Sequence, residues 1–138
     1  MNSFENTIAD VLGRGVAARF HAAGHSMHPT IRSGEHLHVT TAEARSLRVG
    51  DVVLARAARG LTAHRIVRLS RETIITRGDN ALTRDAALRH SDILGRITHV
   101  ERQGATVTVP TAPLRIRVVA RTLRRHLLSL SQIIRSLV

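Results

Sequence analysis

Arg48-Val-Gly-Asp-Val-Val-Leu-Ala-Arg-Ala-Ala-Arg-Gly-Leu-Thr-Ala-His-Arg-Ile-Val-Arg-Leu69 is the stretch whose reading decides the fold. Arg48-Val-Gly-Asp51 has the composition of a turn, and Val52-Val-Leu-Ala55 is an apolar run of strand length. Ala58-Arg-Gly60 reads as a hairpin connection to Leu61–Leu69, a second strand rich in β-branched residues. The pattern continues outward. Glu72 to Thr76 is a further strand, ended by the turn-forming cluster Arg77-Gly-Asp-Asn80. Ile93 to Glu101 and Ala105 to Val109 form a hairpin around Gln103-Gly104. Upstream, Glu35 to Thr40 alternates, with His36 and His38 on one face and Leu37 and Val39 on the other, after a turn over 30–34 and a short strand from Val16 to Ala22. Short strands in close succession predict a mainly β fold around a small core.

The two ends read differently. Residues 3–13 put Phe4, Ile8, Val11 and Leu12 on one helical face, with Ser3 as N-cap and Gly13 or Gly15 as the stop. Beyond Pro110 and Pro113, residues 114–138 follow a helical period, with Ile116, Val119, Leu123, Leu127, Leu130, Ile134 and Leu137 as the apolar stripe. The chain divides into a domain over 1–110 and a basic amphipathic segment over 111–138.

Composition removes several chemistries. Cysteine is absent, which excludes disulfides, thiolate metal sites and cysteine nucleophiles. All 21 basic residues are arginine, so no lysine is present to act as a base. With two Phe and no Trp or Tyr, the core must be aliphatic, and base-stacking modes of single-strand nucleic-acid binding are disfavoured. The net charge of +11 is concentrated after Glu101, where no acidic residue follows.

Three segments carry potential chemistry: Gly24-His-Ser-Met-His-Pro-Thr-Ile-Arg-Ser-Gly34, Gly50–Ala55 leading to Thr62-Ala-His-Arg-Ile-Val67, and Thr76-Arg-Gly-Asp-Asn80 running on to Asp85 and Asp92-Ile-Leu-Gly-Arg96. Ser26 lies in a turn from which a hydroxyl can project, and a hydroxyl becomes nucleophilic only with a base within hydrogen-bond reach. Without lysine, histidine is the best remaining base, and its ordinary pKa of about 6.5 suits neutral pH. Asp79 and Asp85 are both candidates to orient that histidine from its far nitrogen. Spacing alone does not unite these groups.

Five segments taken together resemble, in order and spacing, the boxes of the signal peptidase I superfamily. They are Ser26-Met27-x-Pro29-Thr30, Gly50-Asp51-Val52-Val53, His64-Arg65-Ile66-Val67, Arg77-Gly78-Asp79-Asn80 with Asp85, and Ile93-Leu94-Gly95-Arg96. The resemblance covers about residues 22 to 100. It implies a small coiled antiparallel β-sheet or barrel core and a serine endopeptidase acting on a leader or precursor peptide, with a small residue before the cut. His64 falls where the archaeal and endoplasmic-reticulum members, as opposed to the lysine-using bacterial ones, have their base. By the same resemblance Ser26 is the nucleophile, Asp85 orients His64, Asp79 is a supporting carboxylate that hydrogen-bonds backbone near the site, and the Ser26 N–H is one oxyanion donor. Departures are clear: Gly24 stands where many members have a serine that donates to the oxyanion, Gly34-Glu35 replaces Gly-Asp, and the family's membrane anchor is missing.

Each residue has a plainer reading: Ser26 as a turn former, His64 as a strand histidine, Asp85 as a cap, and Met27 as a core filler. Gly24 favours an alternative in which the fold is a non-catalytic peptide-binding or regulatory module. No cofactor or metal is expected, because His21, His25 and His28 lie in strand and turn with no accompanying carboxylate. His36 and His38 read as a solvated rim. The basic tail reads either as a packed helix or as peripheral contact with an anionic membrane through 114–138. Nucleic acid is disfavoured for want of any recognised motif. With no apolar run long enough to span a bilayer and no secretory signal, the expected location is cytoplasmic, peripheral to the membrane.

Overall fold

The computed structural model describes residues 3–112. The helix expected over 114–138 lies outside the described residues, as does all of the expected 111–138 segment except Thr111 and Ala112. The fold is mainly β, a curled antiparallel half-barrel sheet with one N-terminal helix. Helix α1 spans Ser3–Gly13. The strands are β1 Ala18–His21, β2 His36–Thr40, β3 Val52–Ala57, β4 Gly60–Leu69, β5 Thr73–Arg77, β6 Leu88–Arg89, β7 Ile93–Arg102 and β8 Ala105–Thr108. They pair in the order β1-β2-β7-β3-β4-β5-β6, with β8 added to β7.

Side-chain alternation explains the central strands. In β2, Leu37 and Val39 are fully buried and pack with Ile97 and Val100 of β7. Strand β3 is buried on both faces. Val52 and Leu54 join the main aliphatic core, while Val53 packs with Leu47, Ile66 and Ile74 in a second one. α1 closes the main core with Ile8 and Leu12. Phe4, expected on that buried face, is 48% exposed and meets Phe20 of β1 edge-to-face, with centroids 5.8 Å apart. It sits in the first turn of α1, where the helix reaches the rim of the sheet instead of its middle.

The β3–β4 hairpin is tighter than Ala58-Arg-Gly60 suggested. Pairing runs to Ala57↔Gly60, leaving Ala58 and Arg59 as a two-residue turn. At the β7–β8 hairpin, Gln103 and Gly104 both have positive φ, 51° and 78°, as a two-residue turn matched to strand twist requires. Strand β6 has only two residues, too few for a period to show. Among the described residues no helix is long and apolar enough to cross a membrane.

Candidate active site

Ser26 lies in the loop between β1 and β2. Backbone bonds close its base, from Ala22 N–H to Glu35 O (2.7 Å) and from Gly34 N–H to Ala22 O (2.8 Å). Met27 and Ile31 anchor it in the core at 4% and 3% exposure, so the serine between Met27 and the exposed His25 is held at the surface of a pinned loop. A second element presses on it from outside. Asn80 N–H donates to Ser26 O (2.8 Å), and a Cβ built on Gly78 would stand 2.5 Å from that same oxygen. Only glycine allows the Arg77–Asn80 turn to approach the serine backbone this closely.

His64 projects from β4, which pairs with β3 at Val53↔His64. Asp85 follows the Arg77–Asn80 turn and is drawn back to β5 by its own N–H, bonded to Thr76 O at 2.9 Å. The structure brings three sequence-predicted residues into line. His64 Nε2 is 2.9 Å from Ser26 Oγ, and His64 Nδ1 is 2.6 Å from Asp85 Oδ2. An ionised carboxylate only accepts, which puts the imidazole proton on Nδ1 and leaves Nε2 to accept the serine proton. Thr76, buried on β5, donates its hydroxyl to the same Asp85 oxygen at 2.7 Å and fixes the carboxylate's direction.

Asp79 supports the site chiefly through side chains. It receives Arg65 Nε–H (2.8 Å) and Nη2–H (2.7 Å) in a bidentate pair, and Thr30 Oγ–H at 2.5 Å. Arg65 is 1% exposed and donates further to the carbonyls of Gly50 (2.6 Å) and Pro110 (2.7 Å). This buried pair ties the serine loop, β4 beside His64, the turn after β5 and the end of the domain to one point. A buried guanidinium demands such a carboxylate. Thr30, Arg65 and Thr76 all lie within the three segments singled out above, but the sequence alone gives them no role. The sequence signal for this clamp is that an arginine within a largely apolar strand needs a carboxylate partner, which Asp79 supplies.

No protein-family model matches this chain. A search of curated proteins finds no match either. Among the described residues no acceptor is bonded to the Ser26 N–H, and Gly24, at φ +86°, has open space around it and no hydroxyl to offer. Two clefts flank His64. The larger, about 430 Å³, runs from Ser26 and His64 to Phe4 and Phe20 over an aliphatic floor. The smaller, about 320 Å³, lies on the Asp85 side.

His36 and His38 lie away from Ser26, and His21 lines the far wall of the larger cleft. His36 and His38 stand on the outer face of β2 beside Glu101, which Arg19 also grips. Bonds from Arg19 and then His38 hold the Glu101 carboxyl down to about 2. His36 is lowered by burial and then by the adjacent Arg19 charge. His21 stacks on His36 with ring centroids 3.8 Å apart. Among the described residues no group of three or more His, Asp or Glu side chains is disposed to hold a metal ion.

Proposed function

We propose that this chain is a serine endopeptidase of the signal peptidase type with a histidine base, cutting an exposed, extended segment of a leader or precursor peptide. The observation that carries the reading is the unbroken line Ser26 Oγ–His64 Nε2–His64 Nδ1–Asp85 Oδ2, at 2.9 and 2.6 Å. Ser26 Oγ adds to the scissile carbonyl carbon as its proton passes to His64 Nε2, and Asp85 balances the imidazolium. The tetrahedral oxyanion is met by the Ser26 N–H; one such donor contributes about 2.7–4 kcal/mol in serine proteases. Collapse breaks the C–N bond, and the leaving amine takes the proton from Nε2. Water, deprotonated by the same nitrogen, then hydrolyses the acyl-serine and restores the hydroxyl.

Two strand edges favour an extended substrate. β4 pairs with β5 only from Arg65 onward, so residues 61–64 border the larger cleft without a strand partner on that side among the described residues. β1 is paired with β2 alone, and residues 20–24 form the opposite wall. Exposed edges of this kind bind extended peptides through main-chain hydrogen bonds. The basic segment 114–138 would hold the enzyme against an anionic membrane on the cytoplasmic side.

Labelling with a fluorophosphonate, which captures activated serines, tests the reading. The chain should be labelled at Ser26, with labelling lost in Ser26→Ala and strongly reduced in His64→Ala. Absence of labelling at any pH would end the proposal. It would leave the second reading, a peptide-binding module without chemistry, which Gly24 favours by supplying no second oxyanion donor.

A further inference from the structure

We propose that Phe4, in the first turn of α1, determines specificity in the Ser26 cleft: with Phe20 it forms an aromatic seat for one bulky apolar side chain of a bound peptide, about four residues from the bond that Ser26 attacks. The inference rests on the peptidase reading for its occupant and goes beyond it in naming what the occupant must carry.

The chain has two aromatic side chains in 138 residues. Both line this one cleft, and they meet each other edge-to-face at 83°. Everything else apolar in the molecule is aliphatic, and the large aliphatics of the core are almost all buried. Phe4, at 48% exposure, shares exposure with Val16, Val49, Leu82 and Val107, but among these exposed apolar side chains it is the one that lines the Ser26 cleft. A phenylalanine carries about 150–250 Å² of surface, so a half-exposed ring offers a large apolar area to a ligand.

The strand between the two ends of the cleft sets the spacing. Gly60, at the start of β4, abuts the first turn of α1, since a Cβ there would lie 2.6 Å from Glu5 Oε1. His64 is four residues further along the same strand. At about 3.3 Å per residue that is about 13 Å. A peptide laid along residues 60–64 rises at the same rate, so a side chain at the Phe4 end is about four residues from the one reacting at Ser26. Ala22, Ala63 and Leu61 make most of the lining between aliphatic, and the imidazoles of His21 and His64, which also line the cleft, are polar rings. The cleft volume of about 430 Å³ falls in the range of sites that enclose several side chains.

The test uses decapeptides of Ala, Ser and Gly carrying one Phe walked through every position. With the active chain, kcat/KM should peak when Phe lies about three to five residues from the cut, by about tenfold over Ala at the same position. That advantage should shrink to under about twofold in Phe4→Ala, while Phe4→Leu, which keeps an apolar residue against the sheet, should shift preference from Phe towards Leu peptides. Val107→Ala, removing exposed apolar surface from β8, should leave the preference unchanged. The same peptides are titrated by fluorescence anisotropy against Ser26→Ala with and without Phe4→Ala, which reads the seat with no chemistry. A chain that takes no fluorophosphonate yet shows the Phe4-dependent binding loses the peptidase reading and keeps the seat. A chain that is labelled but shows no positional preference for Phe, or one that Phe4→Ala or Phe4→Leu does not alter, loses the seat and keeps the peptidase. A change of oligomeric state in Phe4→Ala would assign the ring to contact with a second copy and also overturn the seat.

Discussion

Replacing Asp79 by Asn tests whether the buried pair beneath the site holds the molecule together. Arg65 and Asp79 have side-chain exposures of 1% and 3%, so neither charge has water to fall back on. Breaking a buried pair by removing one partner costs about 3–5 kcal/mol, because the other charge stays buried without compensation. Asn keeps the shape and one acceptor, which argues for the lower end, about 3 kcal/mol. For a domain of about 110 residues a loss of 1 kcal/mol lowers Tm by about 4 °C, so the expected fall is about 12 °C. Differential scanning calorimetry or circular dichroism reads it directly.

The pair also differs from those that can be exchanged for hydrophobic residues without loss. Arg65 donates to the carbonyls of Gly50 and Pro110 as well as to Asp79. An Arg65→Met, Asp79→Leu double variant would remove both charges but leave those carbonyls without a donor, at about 1–3 kcal/mol for each one that water does not reach. The double variant should therefore stay at least about 4 °C below the wild type instead of matching it. A fall in Asp79→Asn below about 4 °C, or a double variant as stable as the parent, would refute the argument that this network organises the fold.

Asp85→Asn should leave the fold intact, since the carboxylate is a third exposed, but lower labelling or turnover by about 10⁴-fold by favouring the wrong imidazole tautomer; a loss under tenfold would remove Asp85 from the site. Gly78→Ala drives a methyl into Ser26 O and Cβ, at 2.5 and 3.0 Å, so it should cost about 1–3 kcal/mol. The accompanying displacement of the serine should slow fluorophosphonate labelling by about 100-fold, and an unchanged rate would show that the turn does not position it. Glu101, whose carboxyl is held down to about 2 by Arg19 and His38, stabilises the fold fully above the ordinary 4.5 and loses that contribution as pH falls towards 2. Glu101→Gln should therefore narrow its gap from the wild type in Tm as pH is lowered across that window; a gap independent of pH would contradict the assignment. Deleting 114–138 should reduce sedimentation with anionic vesicles, and unchanged sedimentation would remove the membrane reading.

The fold was legible where side-chain alternation is strict. Leu37 and Val39 point inward and His36 and His38 outward in β2, as the pattern demands, and the apolar run Val52–Ala55 has the composition of a strand covered on both faces. β4 was harder. Its register slips between Ile66 and Arg68, so His64, Arg65 and Ile66 are all at least half-buried and no simple period marks Arg65 as interior. An arginine read by type belongs on the surface. Only the structure shows that this one serves as a buried clamp, and it does so because Asp79, Gly50 O and Pro110 O all converge on it.

The same limit explains the site. Nothing local in Ser26, His64 or Asp85 indicates their meeting, because a proton path across a sheet depends on which strands become neighbours. What the chain does disclose is an elimination. With no lysine and no cysteine, a hydroxyl nucleophile in this sequence has histidine as its natural base. A histidine base in turn wants a carboxylate on its far nitrogen, whereas a lysine would not. The arrangement around β4 answers each of these demands with a different segment: the serine from the β1–β2 loop, the carboxylate from the stretch after β5, and Thr76 to aim it. Gly78 is the point where the requirements meet. It lets the turn carrying Asp79 lie against Ser26, and Asp85 follows seven residues later to reach the imidazole from the other side. Any side chain at that glycine sets the clamp and Ser26 in competition for the same space.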